Sequence, residues 1–148
     1  MTAHAKRPDD ERFDAICRSQ PEKRHLCSKL LSIGGQDVEL NSLPDHDLPI
    51  LLALGERFTG ADVHVVKHES SSFCNVAFLW LGQERSLTGI GVGYALTGSR
   101  VWHAHAWGIE NDGIVETTEA HIDYYGCRLI GDSALSFAVK YATPLGAQ

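Results

Sequence analysis

Residues 87–120 constrain the fold most. They read LTGIGVGYALT, RVWHAHAWGI and GIVETTEA, three runs rich in β-branched and aromatic residues, separated by TGS and ENDG. Short apolar runs bounded by such turn residues are strand signals, and short turns between them predict antiparallel neighbours. Directly before them stands SSSFCNVAFLWLGQE, in which serines precede an apolar periodic run, as at a helix N-terminus. A helix feeding a meander must bury one face of each against the other. That predicts an α+β domain.

The flanks extend this pattern. DVHVVKHE at 62–69 alternates and reads as a strand, YYGCRL as another, and SALSFAVKYA as a closing helix capped by Asp132 or Ser133. The first third has a different texture. Residues 10–19 place Phe13, Ile16 and Cys17 at helical spacing. Pro21 opens a helix with Leu26, Leu30 and Ile33 on one face, ended by Gly34-Gly35. The stretch from Pro49 to Phe58 reads as a short buried helix capped by Asp47. At 148 residues the chain suits a single domain, 1–148, with a helical part over 1–60 and a core of helix plus antiparallel sheet over 61–148.

Composition narrows the function classes. The net charge is −6, which disfavours general nucleic-acid binding. No apolar run approaches the roughly 18 residues of a membrane span, and the N-terminal MTAHAKRPDDERFD has no apolar signal core. A cytoplasmic address is the expectation, with export lacking a cleaved signal as the other route. Of the four cysteines, Cys17, Cys27 and Cys127 sit among apolar neighbours and read as buried reduced thiols. No CxxC pair suggests a zinc knuckle.

Cys74 has a different setting. With Ser72 as N-cap, its thiol lies in the first helical turn, where unpaired N–H groups and the helix dipole favour the thiolate. His103 and His105 in WHAHAW share one strand face, together with Trp107. If ENDG is a four-residue loop, Ile109 pairs with Ile114, and Glu116 becomes a diagonal neighbour of His105 on that face. A thiol at a helix start, a histidine on a later strand and an acid on the next form a Cys-His-acid set. Each has a plainer reading: a core cysteine, a hydrogen-bonded core histidine and a surface carboxylate.

The order CNVAFLW, GVGYAL, HAWGI, GIVETT resembles the core of transglutaminase-like cysteine enzymes of the papain-like superfamily, over about residues 63–126. The residues matching that pattern are Cys74, Gly93-Tyr94, His105-Ala106-Trp107, and Glu116 with Thr118. Glu116 stands where the family has aspartate, and Thr117 where it has proline. The resemblance implies a papain-like fold and acyl transfer on an amide through a thioester, as protease, amidase, deamidase or transglutaminase. Cys74 would be nucleophile, His105 base and Glu116 its orienter. Ser72 and Trp107 would hold the oxyanion or position substrate, with His103, Asn75 and Thr118 as secondary candidates. The implied partner is a protein or peptide-like amide, with no cofactor, metal, nucleic acid or membrane.

Two other readings stand beside it. His103-x-His105, Glu110 and the downstream His121 resemble the first metal motif of cupin barrels, since imidazoles at i and i+2 suit chelation. The chain is alternatively a non-catalytic papain-like interaction module, with Trp80, Trp102 and Trp107 as core or partner surface. Gly89, Gly91 and Gly93 lie inside a strand rather than before a helix, so they predict close packing or a kink, not a nucleotide loop.

Overall fold

The computed structural model describes residues 21–39, 51, 53–58, 62–68, 70–83 and 86–142. In chain order they form α1 (Pro21–Ile33), β1 (Asp37–Val38), β2 (Glu56–Arg57), β3 (Val63–Val65), α2 (Ser72–Gly82), β4 (Gly89–Leu96), β5 (Val101–Glu110), β6 (Gly113–Glu116), β7 (Asp123–Leu129) and α3 (Gly131–Ala142). The class is α+β. None of the described helices is long and apolar enough to cross a membrane. The helix expected over 10–19, Cys17 within it, and the Asp47 cap lie outside the described residues.

The sheet has seven strands in the order β2-β7-β4-β5-β6-β3, with β1 pairing to β5 off that path. The expected meander β4-β5-β6 is present. The tight turn between β5 and β6 holds Asn111 and Asp112 at φ 50° and 67°, and Glu110 pairs with Gly113 across it. Two central residues at positive φ match the right-handed strand twist, which is why Asn-Asp serves here. The loop is thus two residues rather than four, yet Ile109 still pairs with Ile114.

Three expectations are corrected. The sheet is mixed, because β3 runs parallel to β6 and β1 parallel to β5. The helix expected as far as Phe58 stops by Gly55. Glu56 and Arg57 pair with β7 instead, and the Phe58 N–H donates to the Tyr124 carbonyl. The final helix starts at Gly131, ahead of both proposed caps.

The two sheet faces carry different loads. Side chains alternate along a strand, so Tyr94 and Leu96 of β4 face the same way as Trp102 and Ala104 of β5. Leu26, Cys27 and Leu30 of α1 pack on that group. Val76 of α2 and Ala134 and Phe137 of α3 pack on Ile90 and Ala106 of the same face. All three helices therefore cover one side. The opposite side buries Phe58, Ala95, Trp107, Ile109, Ile114 and Tyr124, and His103 and His105 project there too.

The glycines of β4 make this second side possible. Gly91 pairs with Trp107 and Gly93 with His105. A Cβ built at Gly91 would fall inside the Trp107 indole. Trp107 is fully buried against Phe58, edge-on at a centroid distance of 5.3 Å, and against Tyr124 at 5.0 Å, so it has nowhere to move. Gly91→Ala should therefore destabilise the fold by about 1–3 kcal/mol through overpacking. Urea denaturation checks this. An unchanged midpoint would mean that the indole does not rest on Gly91.

Candidate functional site

Glu116 is the centre of the site. It ends β6, is fully buried, and faces the side away from the helices. Its Oε1 accepts from His105 Nε2 at 2.8 Å, His121 Nδ1 at 3.0 Å and the Tyr124 hydroxyl at 2.8 Å. Its Oε2 accepts from the Thr118 N–H at 3.0 Å, the Thr118 hydroxyl at 2.9 Å and again from His105 Nε2 at 2.9 Å. A buried carboxylate persists only when its lone pairs are filled in this way. Burial pushes the Glu116 carboxyl up, but the hydrogen bonds from His105 and His121 override it. The carboxyl is held well below the usual carboxylate range. Beside that charge and in the same apolar setting, the Tyr124 hydroxyl is pushed far above its ordinary value by burial first and Glu116 second, so it serves as a permanent donor.

The anion determines which ring nitrogens carry protons. A carboxylate only accepts, so His105 presents Nε2–H and His121 presents Nδ1–H. When these rings are neutral, their lone pairs lie on His105 Nδ1 and His121 Nε2. His121 Nε2 meets His103 Nε2 at 2.8 Å, and a neutral His121 protonated on Nδ1 puts the shared proton on His103. The three rings lie close together, with centroids 4.3 Å apart for His105–His121, 5.0 Å for His103–His121 and 5.2 Å for His103–His105. His103 is half-buried, while His105 and His121 are buried. Burial, followed by the neighbouring His105 and His121 rings, lowers His103 to about 4 against the opposing pull of Glu116. At neutral pH His103 is therefore uncharged. One nitrogen from each of His103, His105 and His121 falls within 4.8 Å of the other two, a set able to hold a metal ion.

The start of α2 adjoins this cluster through the sheet plane. The Ser71 hydroxyl accepts from the Cys74 N–H at 3.3 Å, which makes Ser71 the N-cap in place of the expected Ser72. Ser72 becomes the first helical residue. Its hydroxyl accepts from the Ala106 N–H at 3.2 Å, next to His105 in sequence. The β5–β6 ladder ends at Gly108–Val115, so the helix start fills the place where β6 would continue. Asn75 is a tie rather than a substrate group. It accepts from the Ser70 N–H at 3.1 Å and donates to the Ser70 carbonyl at 2.8 Å and the Thr117 carbonyl at 3.5 Å. The first turn of α2 thus touches the residue after His105 and the residue after Glu116.

The sequence-predicted residues divide accordingly. His105, Glu116 and Thr118 are brought together by direct hydrogen bonds, with His103 stacked alongside. Cys74 is half-buried in the adjoining helical turn, and among the described residues no hydrogen bond joins it to either histidine. Its own N–H is taken by Ser71, so the oxyanion donors left in the first turn are the N–H groups of Ser72 and Phe73. Trp107 is fully buried and backs His105 at a centroid distance of 6.3 Å, where no substrate can touch it. His121 and Tyr124 were absent from the predicted Cys-His-acid set. In the sequence His121 is singled out only as a metal ligand in the cupin-like reading, and Tyr124 is not singled out at all. No family model matches the chain, and no curated protein or solved structure matches it either. The arrangement therefore stands on its own geometry.

Both shifted groups favour the fold at neutral pH. His103 is neutral in the fold down to about 4, whereas an unfolded histidine charges near about 6.5. Its contribution is full above that higher value and is lost as pH falls between the two. Glu116 adds a second loss below about 4.3, the ordinary glutamate value. In EDTA-containing buffer the urea midpoint should fall in two stages from pH 7 downward. His103→Gln should remove the upper stage and leave the lower. A midpoint independent of pH from 7 to 4 would contradict the His103 assignment, and the absence of a further fall below about 4.3 would contradict that of Glu116.

Proposed function

We propose that the protein is a cysteine acyltransferase or hydrolase acting on an amide, built on a transglutaminase-like variant of the papain-like core. The observation that carries this is the buried His105–Glu116 pair joined at 2.8 Å, abutted by the helical turn that bears Cys74. A neutral imidazole with its Nε2–H fixed on an anion and its Nδ1 lone pair unused is a general base waiting for a proton.

In this reading the Cys74 sulfur forms a bond to the substrate carbonyl carbon, and its proton passes to His105 Nδ1. The carbonyl π electrons move to oxygen, which takes hydrogen bonds from the Ser72 and Phe73 N–H groups. Collapse expels the amine, which takes the proton back from His105, and leaves a thioester on Cys74. Water or a second amine, deprotonated by the same nitrogen, then releases the acyl group. Glu116 stabilises the imidazolium at each stage without taking the proton. In this reading the thiol must reach His105 around the end of the β5–β6 ladder, beside the Ser72–Ala106 contact. Thr118 and Tyr124 act one step away, by fixing the carboxylate.

The cupin reading finds no support in the sheet. Its described strands form an open path from β2 to β3 rather than a closed barrel.

Iodoacetamide labelling read by peptide mass spectrometry tests the proposal. At pH 6.5 Cys74 should alkylate about tenfold or more faster than an unperturbed thiol, and faster than the buried Cys27 and Cys127. His105→Ala should abolish the excess, and Glu116→Gln should reduce it. A Cys74 rate that follows ordinary thiol titration and ignores both substitutions would overturn the proposal.

A further inference from the structure

We propose that His103, His105 and His121 form a binding site for a divalent d-block cation of the zinc class, and that the bound ion switches off the base at His105. The second half rests on the acyl-transfer reading above. The first half stands on the histidine cluster alone.

The donor set identifies the ion. Three imidazole nitrogens lie within 4.8 Å of one another, and no carboxylate oxygen is needed to complete the set. All-nitrogen sites suit Zn²⁺ and its neighbours, whereas Mg²⁺ and Ca²⁺ take oxygen ligands. A tetrahedral zinc at about 2.0–2.1 Å from each nitrogen places those nitrogens about 3.3 Å apart. The 2.8 Å separation of His103 Nε2 and His121 Nε2 is a hydrogen bond that the ion would replace. That pair needs a small opening and a move of the His103 proton to Nδ1, while the nitrogens within the 4.8 Å bound must draw in to the same spacing. Three protein ligands also leave a fourth position open.

The surroundings are already those of a metal centre. Metal-bound histidines commonly donate their other nitrogen to a carboxylate, which fixes the ring and raises its basicity. With the ion held by His105 Nδ1 and His121 Nε2, Glu116 does this for both rings at once. His103 and His105 come from one strand face, so their spacing is set by β5. His121 is anchored independently, by its own N–H donating to the Tyr124 hydroxyl at 3.4 Å and by the Ile122 N–H donating to the Leu96 carbonyl at 2.8 Å. Two rings are buried and the third is half-buried, which leaves an entry on the His103 side. The consequence for catalysis follows from valence. An imidazole holding a metal on one nitrogen and a proton on the other has no lone pair with which to accept the thiol proton.

The test uses the full chain, stripped with EDTA and dialysed. Zn²⁺ is titrated calorimetrically, and Co²⁺ is followed by its visible spectrum. The expected result is one ion per chain, with His103→Gln and His121→Ala each weakening binding by more than about tenfold, the loss typical even of outer-shell changes. Circular dichroism checks the fold of each variant, and His103→Gln alone suffices if His121→Ala does not fold. Absence of binding, or equal binding by folded His103→Gln protein, overturns the site. Cys74 alkylation at pH 6.5 is then measured with and without Zn²⁺. It should slow at least about tenfold in the unsubstituted protein, while zinc should lose this effect in His103→Gln. Intact zinc binding with unchanged Cys74 labelling overturns the switch. If Cys74 is already unreactive without zinc, the acyl-transfer reading fails and the switch fails with it, while the calorimetry still decides the site.

Discussion

The buried carboxylate of Glu116 is the interaction on which the site depends. An anion inside an apolar layer is tolerated only if every lone pair is met, and here five groups from four residues meet them. That requirement reaches outward through the structure. It fixes the end of β6, the turn carrying Thr118, the loop carrying His121 and the inward face of Tyr124. It also sets the tautomers of two histidines, and so decides which nitrogens remain available for chemistry.

The division of the sheet makes this polar centre affordable. Three helices bury one face with ordinary apolar side chains. The other face is built from aromatic and imidazole rings over the small residues of β4, with Gly91 under Trp107, Gly93 paired with His105 and Ala95 paired with His103. A side chain at Gly91 would meet the Trp107 indole, and one at Gly93 the backbone of Tyr125 and Gly126. The start of α2 is wedged beside β5 by the Ser72–Ala106 and Asn75–Thr117 contacts. Helix, base and carboxylate are therefore tied to neighbouring backbone positions, and a change at one is felt at the others.

Much of this was legible in the sequence because the signals were local. Pro21 and Gly34-Gly35 bracket α1, and the apolar runs after residue 87 mark β4, β5 and β6. A four-residue loop at 110–113 would put Ile109 opposite Ile114 and Glu116 on the His105 face, and the two-residue turn that forms keeps that pairing. The parts that were not legible are those decided at long range. The two-residue strands β1 and β2 carry no periodic pattern, and the alternation at 62–69 that marks β3 does not reveal its parallel pairing with β6 far along the chain. Three consecutive serines at 70–72 made the cap ambiguous, and the choice fell to Ser71 because Ser72 is claimed by Ala106. His121, grouped with His103 and His105 only in the cupin-like reading, reaches Glu116 through the path of the chain before β7, and Tyr124 through the pairing of β7 itself.

The protonation state at Glu116 is the most direct point of attack. Long-range ¹⁵N–¹H NMR of the histidine rings in metal-free protein at neutral pH reads each tautomer separately. A Glu116 anion requires His105 to carry its proton on Nε2 and His121 on Nδ1, with the other nitrogen of each ring showing a lone pair or the shift of a shared hydrogen bond. A His105 ring protonated on Nδ1, with Nε2 accepting a proton from a neutral Glu116 carboxyl, would contradict the arrangement and remove the basis for both the base and the metal site.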